Sequence, residues 1–432
     1  MSRTRPITGH PDASSLWKAD AINTPGHPPL TESRQTDVLI VGAGFTGLST
    51  ALHLAEQGVQ SCVLEAHTAG WGASGRNGGQ VNPSLRHDPD VVKKMLGTRA
   101  EPLLHAIGQS ADLVFRLIDQ HAIACQPVRQ GWIQASYAAR QVSVLHKRAR
   151  QWEALGYPVE LLDAAAIRDQ TGSRRFHGGW RDLRAGGLQP LSYARGLAQA
   201  ATAAGARVHE QTPVIALERQ GSHWIAKTAT GAQVSASRVV LATNAYSDSL
   251  WPGLAQTVLA ANSFIVATAP MGDAVSYILP RGQTLSTAQR LMVYLRRNAE
   301  GRLILGGRGL FHDPEKADDF SHIVQALHHL YPELAPLTIE YRWAGRIAIT
   351  HDALPHVHRP APGLTIALGY NGRGVAAATA MGKHLATLLL TESDDDFPFP
   401  ITAPGRIPLH GLQRLYLSAG IAWYGLLDRL AR

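Results

Sequence analysis

The chain has 432 residues, 45% hydrophobic and 17% charged, which excludes a disordered or coiled-coil protein and leaves room for two or three domains. Lys and Arg outnumber Asp and Glu by 41 to 33, and the net charge of +8 favours anionic ligands or surfaces without specifying a fold. Two cysteines, Cys62 and Cys125, exclude a disulfide framework and a cysteine-rich metal or iron–sulfur centre.

Residues 1–34 are rich in Pro, Ser, Thr and Gly and read as an arm that Trp17 pins to the body. They lack the apolar core of a signal peptide, so a cytoplasmic location is expected. Residues 37–41 form a continuously apolar run, the pattern of a strand covered on both faces. The run leads into Gly42-Ala43-Gly44-Phe45-Thr46-Gly47, after which Leu48, Ala51, Leu52 and Ala55 recur at helical spacing up to Gly58. A second apolar strand over 61–64 ends at Glu65 and completes a β-α-β unit.

Helices are predicted over 90–97, 99–122 and 138–155. In the last of these, Arg140, Lys147, Arg148 and Arg150 read as a solvated face; no nucleic-acid module accompanies them. A helix over 190–204 stops at Gly205, and strands follow at 206–217, 223–229 and 237–243. Antiparallel strands are predicted over 257–310, including 292–296 and 302–305. A strand at 364–368, a glycine-rich turn and a helix over 374–391 come next. The apolar stretch 415–427 has helical spacing and reads as a docked helix or an interfacial membrane contact; it is too short to span a bilayer, which takes about 20 residues.

The chemistry concentrates in glycine. Gly42 permits a tight turn, Gly44 lets backbone approach a pyrophosphate, and Gly47 lets the helix pack close to the strand. The helix start offers free N–H groups to phosphate, and Glu65, 23 residues after Gly42, can accept both ribose hydroxyls. A second glycine-rich loop, Gly70 to Gln80, and a third turn, Gly369 to Gly374, suit one long cofactor better than a nicotinamide dinucleotide. His356 and His358 share a strand face, but a metal site is not expected from them, and Cys62 reads as a small buried hydrophobe.

These segments together resemble the FAD-dependent D-amino-acid oxidase and sarcosine oxidase superfamily. Within it the chain is similar to the gamma-glutamylputrescine oxidase branch, on the strength of Gly70-Trp71-Gly72-Ala73-Ser74-Gly75-Arg76-Asn77-Gly78-Gly79-Gln80. Gly186 to Pro190, Val239 to Tyr246 and Gly369 to Val375 support it. The resemblance implies an α/β fold: a discontinuous FAD-binding Rossmann-type domain with an inserted α+β substrate domain on an antiparallel sheet. The implied divisions are an arm (1–34), FAD-binding segments (35–95, 185–250 and 345–392), a helical and substrate-domain segment (96–184), a substrate domain (251–344) and a C-terminal segment (393–432).

By the same resemblance, Gly42, Ala43, Gly44, Phe45, Thr46, Gly47 and Glu65 hold the ADP half of FAD. Gly72, Ala73, Ser74, Arg76, Asn77, Gly78, Gly79 and Gln80 track toward the flavin. Val214 meets the adenine, Thr243 and Asn244 close over the pyrophosphate, and Gly372, Gly374 and Val375 line the ring's pyrimidine edge. Attachment is expected to be non-covalent, because no cysteine follows Cys125 and no histidine lies within 70–80. Arg373 stands where this branch often has histidine.

The implied activity is oxidation of an amino-acid-like or gamma-glutamyl polyamine-like amine to an imine by hydride transfer, followed by hydrolysis, with O2 reoxidising the flavin. Tyr294, Arg296, Trp343 and Arg346 are the expected pocket residues, with Arg373 beside the ring; an arginine can take a substrate carboxylate bidentately. Oxygen-using relatives often place a lysine at the flavin, and here only Lys227 and Lys316 lie near inner strands. A dehydrogenase passing electrons to a quinone or carrier protein at the inner face of the membrane, or a non-catalytic flavin-binding subunit, are the alternatives. Neither the amine nor the oligomeric state is legible.

Overall fold

The computed structural model describes residues 15–22, 24–289, 291–309, 313–334 and 336–413. The apolar stretch 415–427, and with it the expected membrane contact, lies outside the described residues. In chain order the strands are β1 (Arg34–Val41), β2 (Ser61–Leu64), β3 (Gln80–Val81), β4 (Trp132–Ser136), β5 (Val159–Leu162), β6 (Gly178–Asp182), β7 (Gly186–Gly187), β8 (Arg207–His209) and β9 (Val214–Gln220). They continue with β10 (His223–Thr228), β11 (Gln233–Leu241), β12 (Leu259–Thr268), β13 (Thr284–Thr287), β14 (Val293–Arg297), β15 (Leu303–Arg308), β16 (Ile339–Ile349), β17 (His356–Ala361) and β18 (Leu364–Leu368).

The first sheet has the order β17-β18-β11-β1-β2-β8, with the hairpin β9–β10 laid antiparallel on β11. From β18 to β8 its strands run parallel. The apolar runs of β1 are buried on both faces, as their composition requires. Val38 and Ile40 join the core under the helices, while Leu39 and Val41 pack with Cys62 and Leu64 on the opposite side. The helices Phe45–Ala55, Pro190–Ala203 and Gly374–Thr391 cover the first of these faces. Because β2 lies on one side of β1 and β11 on the other, the crevice opens at the carboxyl end of β1, the position where such sheets bind ligands.

The second sheet, β16-β12-β15-β14-β13-β4-β6-β5, is antiparallel except for the β13–β4 pair. Its core is a separate cluster built on Phe264, Leu285, Leu295 and Phe320. A short ladder, β3 with β7, follows the glycine-rich loop. The fold is therefore α/β: a Rossmann-type sheet joined to an α+β portion on a largely antiparallel sheet.

Two expectations need correction. The helix over 99–122 is two helices, Ala100–Gly108 and Ser110–Gln120. At the break Arg184 takes the Gly108 carbonyl at 2.9 Å, and the Tyr157 ring lies where a Cβ at Gly108 would stand. The strand over 206–217 splits into β8 and β9, which lie on different parts of the sheet. Between them Gln211 and Thr212 donate their N–H groups to His67 and Glu65, and Pro213 has none to give.

Candidate active site

The turn after β1 has the strain its glycines predict. Gly42 has φ +105°, and a Cβ at Gly47 would stand 2.0 Å from the Gly42 carbonyl oxygen. Glu65 accepts the N–H of Ala43 on Oε2 (2.8 Å) and of His67 on Oε1 (3.0 Å). Burial raises its carboxyl above the usual range, and those N–H groups partly offset the shift. At the helix start the Phe45 N–H donates to Ser74 Oγ (3.0 Å), and Thr46 Oγ1 lies 2.5 Å from the Tyr370 hydroxyl.

Three glycine-rich pieces meet there. Gly42 lies against the Ala242 carbonyl, and Asn244 Oδ1 accepts the Gly369 N–H at 2.9 Å. Thr243 Oγ1 is 2.7 Å from Ser247 Oγ. Gly372 and Arg373 lead into the helix that begins at Gly374, where Val375 is buried. Val214 begins β9, next to the segment that Thr212 ties to Glu65. The carboxyl ends of β1, β2, β11 and β18 carry the Gly42 turn, Glu65, Thr243–Asn244 and the Gly369 turn, while Val214 stands at the start of β9.

The loop over 70–80 is tied to itself and to two tryptophans. Asn77 Nδ2 donates to the carbonyls of Ala73 (3.1 Å) and Ser74 (2.8 Å), and its Oδ1 accepts the Gly79 N–H (2.8 Å). Trp17 Nε1 donates to the Asn77 carbonyl at 2.7 Å, and Trp343 Nε1 to that of Arg76 at 2.9 Å. The two indoles meet edge-on, 5.7 Å between ring centroids. Trp17 pins the arm as expected, and its anchor is the glycine-rich loop itself. The Arg76 guanidinium lies 4.4 Å over the Trp71 ring, and Gly72 packs on Tyr246. Arg76, Trp71, Tyr246, Trp343 and Arg346 line a cavity of about 460 Å³ on that side of the loop.

Of the candidate pocket residues, Trp343 and Arg346 share that cavity, and Tyr294, Arg296 and Arg373 lie apart from it. Tyr294 packs its ring where a Cβ at Gly78 or Gly306 would stand and shares a 2.9 Å hydrogen bond with Ser263. Arg296 is buried beneath the loop: it donates to the Leu188 carbonyl and lies 5.4 Å from the Trp17 ring. Burial pushes its guanidinium down to about 10. Arg346 is exposed and paired with Asp313 at 2.8 Å. Its neighbour Ile347 is the residue that approaches Gly372, because alternate residues of a strand face opposite ways. Arg373 donates to Ser84 Oγ and lies 5.1 Å over the Trp132 ring, only half exposed.

A polar chain went unnoticed in the sequence. Trp132 Nε1 donates to Ser286 Oγ (2.9 Å), which donates to Gln80 Oε1 (3.1 Å), and Asn82 Nδ2 reaches the same oxygen at 3.3 Å. The polar alternation Gln80, Asn82, Ser84 directly after the loop is the signal that could have revealed it. Other candidates are structural. Lys227 pairs with Glu218 on the outer hairpin at 2.8 Å, and Lys316 is exposed. His356 bonds Asp352 at 2.9 Å, and His358 lies 2.8 Å from the Thr402 carbonyl. Burial pushes the Cys62 thiol up to about 11. Arg148 is not on a solvated face: it bonds Asp88 and, at 2.7 Å, Gln134.

Residues 37–388 match the family described as FAD dependent oxidoreductase. The chain belongs to that family. It is 33% identical over 430 residues to gamma-glutamylputrescine oxidoreductase of Escherichia coli (strain K12), covering 96% of this chain and 98% of that one. A probable oxidoreductase, OrdL, of Haemophilus influenzae is 32% identical over 93% of this chain and 94% of its own. The fold is that of glycine oxidase from Geobacillus kaustophilus, with a TM-score of 0.72 at 23% identity over 86% of this chain and 99% of that one.

FAD is the cofactor expected of this oxidoreductase, and the donor set fits it. A helix N-terminus faces the crevice, the turn before it is nearly free of side chains, and the Glu65 carboxylate keeps acceptor capacity beyond its two N–H partners. Among the described residues no helix is long and apolar enough to cross a membrane.

Proposed function

We propose that this oxidoreductase oxidises a primary or secondary amine, amino-acid-like or gamma-glutamyl polyamine-like, to an imine that water hydrolyses, with O2 as electron acceptor. When bound, FAD supplies the hydride acceptor. The observation that carries the reading is the convergence of the turn at Gly42, residues Thr243–Asn244 and the turn at Gly369 on one crevice, with β3 leading from it toward the second sheet. In this reading the Gly42–Gly47 turn and helix start hold the pyrophosphate, Glu65 accepts the ribose hydroxyls, and Thr243 and Asn244 close over them. Gly72 to Gln80 lie along the cofactor, Gly372 to Val375 form the far edge, and Tyr294 walls the space where the amine is held. These residues orient and enclose rather than exchange protons, which suits an amine whose α-C–H is the reacting bond. The near full-length similarity to gamma-glutamylputrescine oxidoreductase supports this substrate class.

The test is anaerobic mixing of the FAD-loaded protein with gamma-glutamylputrescine, putrescine, sarcosine and glycine. Bleaching of the yellow colour is the expected outcome, with recovery and peroxide release on admitting air; no bleaching by any of these amines rejects the reading. One observation favours a second reading for the acceptor alone. Neither Lys227 nor Lys316 lies at the crevice, which favours a dehydrogenase passing electrons to a quinone or carrier protein. In that case a quinone restores the colour quickly and air does so slowly.

A further inference from the structure

We infer that the cavity on the outer side of the glycine-rich loop is a second ligand site, separate from the cofactor crevice, and that it takes a small multivalent anion held by Arg195 and Lys18 with Arg76. The inference stands independently of the amine-oxidation reading.

The cavity holds about 460 Å³, within the range of small-molecule sites. It is not the crevice seen from another side. Neither the Gly42 turn nor Glu65, Asn244 or Gly372 lines it. The loop is the wall between the two spaces: Ser74 is turned to the Phe45 N–H in the crevice, whereas Trp71 and Arg76 line the cavity. The far wall is the helix Pro190–Ala203, where Leu191 and Arg195 stand one turn apart on one face. That face packs tightly on the loop, since a Cβ at Gly70 would stand 3.2 Å from Leu191 Cδ1. The short helix Leu16–Asp20 closes the rim and brings Lys18 to it, because Trp17 is anchored on the Asn77 carbonyl.

The charge of the lining decides the ligand. Four permanent cations, Lys18, Arg76, Arg195 and Arg346, face one carboxylate, Asp313, and that carboxylate is paired with Arg346 at 2.8 Å. Arg195 is half-buried, yet it has no hydrogen-bond acceptor and no ion-pair partner among the described residues. Its five N–H donors are removed in part from water without return, a cost that a bound anion would offset. The Arg76 guanidinium lies 4.4 Å over the Trp71 ring, whose plane is stacked with His67 at 3.9 Å. Stacking holds a guanidinium by its face and leaves its in-plane N–H groups for polar partners. A cleft lined by one sign of charge concentrates counter-ions, and a multivalent anion gains most from several cations at once. The same field repels an amine, which is a cation at neutral pH, so the cavity is not an antechamber for the substrate.

The experiment titrates FAD-loaded full-length protein with inorganic pyrophosphate and with citrate, and with acetate and chloride at matched ionic strength. Isothermal calorimetry and tryptophan fluorescence are the readouts, the latter because Trp71 and Trp343 line the cavity. Saturable binding of both multivalent anions with the flavin spectrum retained is expected, with acetate and chloride at least about tenfold weaker. Arg195→Gln should weaken pyrophosphate and citrate about tenfold, the loss of a charge-assisted donor. Should that variant fail to fold, Lys18→Gln changes an exposed side chain, and a loss of about threefold is expected. Three results overturn the proposal: no saturable binding in the wild type, undiminished affinity in the variants, or displacement of FAD as the anion binds, which would make the cavity part of the cofactor site. Failure of the amine-oxidation reading looks different: no amine bleaches the protein, while the anion titrations and their dependence on Arg195 persist.

Discussion

Glu65→Ala is the most direct probe of the crevice. The wild-type carboxylate takes one N–H on each oxygen, from Ala43 at 2.8 Å and His67 at 3.0 Å, which leaves lone pairs on both for a pair of ribose hydroxyls. Hydrogen bonds to a charged group contribute about 1.5–3 kcal/mol each, so losing two costs about 3–6 kcal/mol of FAD affinity. Burial already disfavours the ionised form, which places the effect near the lower bound, a roughly hundredfold increase in Kd. The assay is fluorescence titration of apo-protein with FAD and, in parallel, with FMN, which lacks the adenosine ribose. FAD affinity should fall while FMN affinity stays put. Equal loss for both ligands would mean that Glu65 only braces the turn, and unchanged FAD affinity would refute its ribose role. The raised carboxyl fixes a sign as well: wild-type FAD affinity should begin to fall, on acidification, at a pH above that of an ordinary glutamate.

Two further predictions concern the loop and the acid limb of stability. Trp17→Phe removes one indole N–H and strands the Asn77 carbonyl, so the protein should lose about 1–3 kcal/mol of stability and release FAD several-fold faster; an unchanged FAD release rate in stopped-flow fluorescence argues against a loop-holding role. Burial, with Lys383, His53 and His105 nearby, holds His384 down to about 4 from 6.5. A depressed histidine contributes stability above its unfolded pKa and loses it as pH falls through the folded one. His384→Asn should therefore flatten the fall of melting temperature between pH 6.5 and 4, a contribution of up to about 3 kcal/mol; an identical slope in the variant contradicts the assignment.

The first β-α-β unit was legible because everything it needs is local. The apolar run of β1, the glycine spacing and Glu65 lie within one stretch of chain, and steric necessity at Gly42 and Gly47 leaves little choice of residue. The arginines were not legible in the same way. Arg296, Arg346 and Arg373 all look suitable for a substrate carboxylate in sequence, yet one is buried under Gly79 and Leu188, one is paired outside the crevice, and one faces Trp132. Which way a strand residue points depends on register, and a shift of one residue exchanges Arg346 with Ile347. The split of 206–217 into β8 and β9 likewise depends on carbonyls of Glu65 and His67, well over a hundred residues away in the chain.

The sequence by itself determined the presence of a dinucleotide turn, the family to which the chain belongs, and the three glycine-rich pieces that a long cofactor requires. The tertiary structure decided how those pieces meet: Asn244 on the Gly369 amide, Ser74 on the Phe45 amide, and Trp17 on the Asn77 carbonyl. It also decided that Arg346 pairs with Asp313 and that Arg296 lies beneath the loop on the Leu188 carbonyl. Periodicity and glycine spacing act along the chain and are written there, whereas pairing of charges and capture of carbonyls happen between elements brought together only by folding.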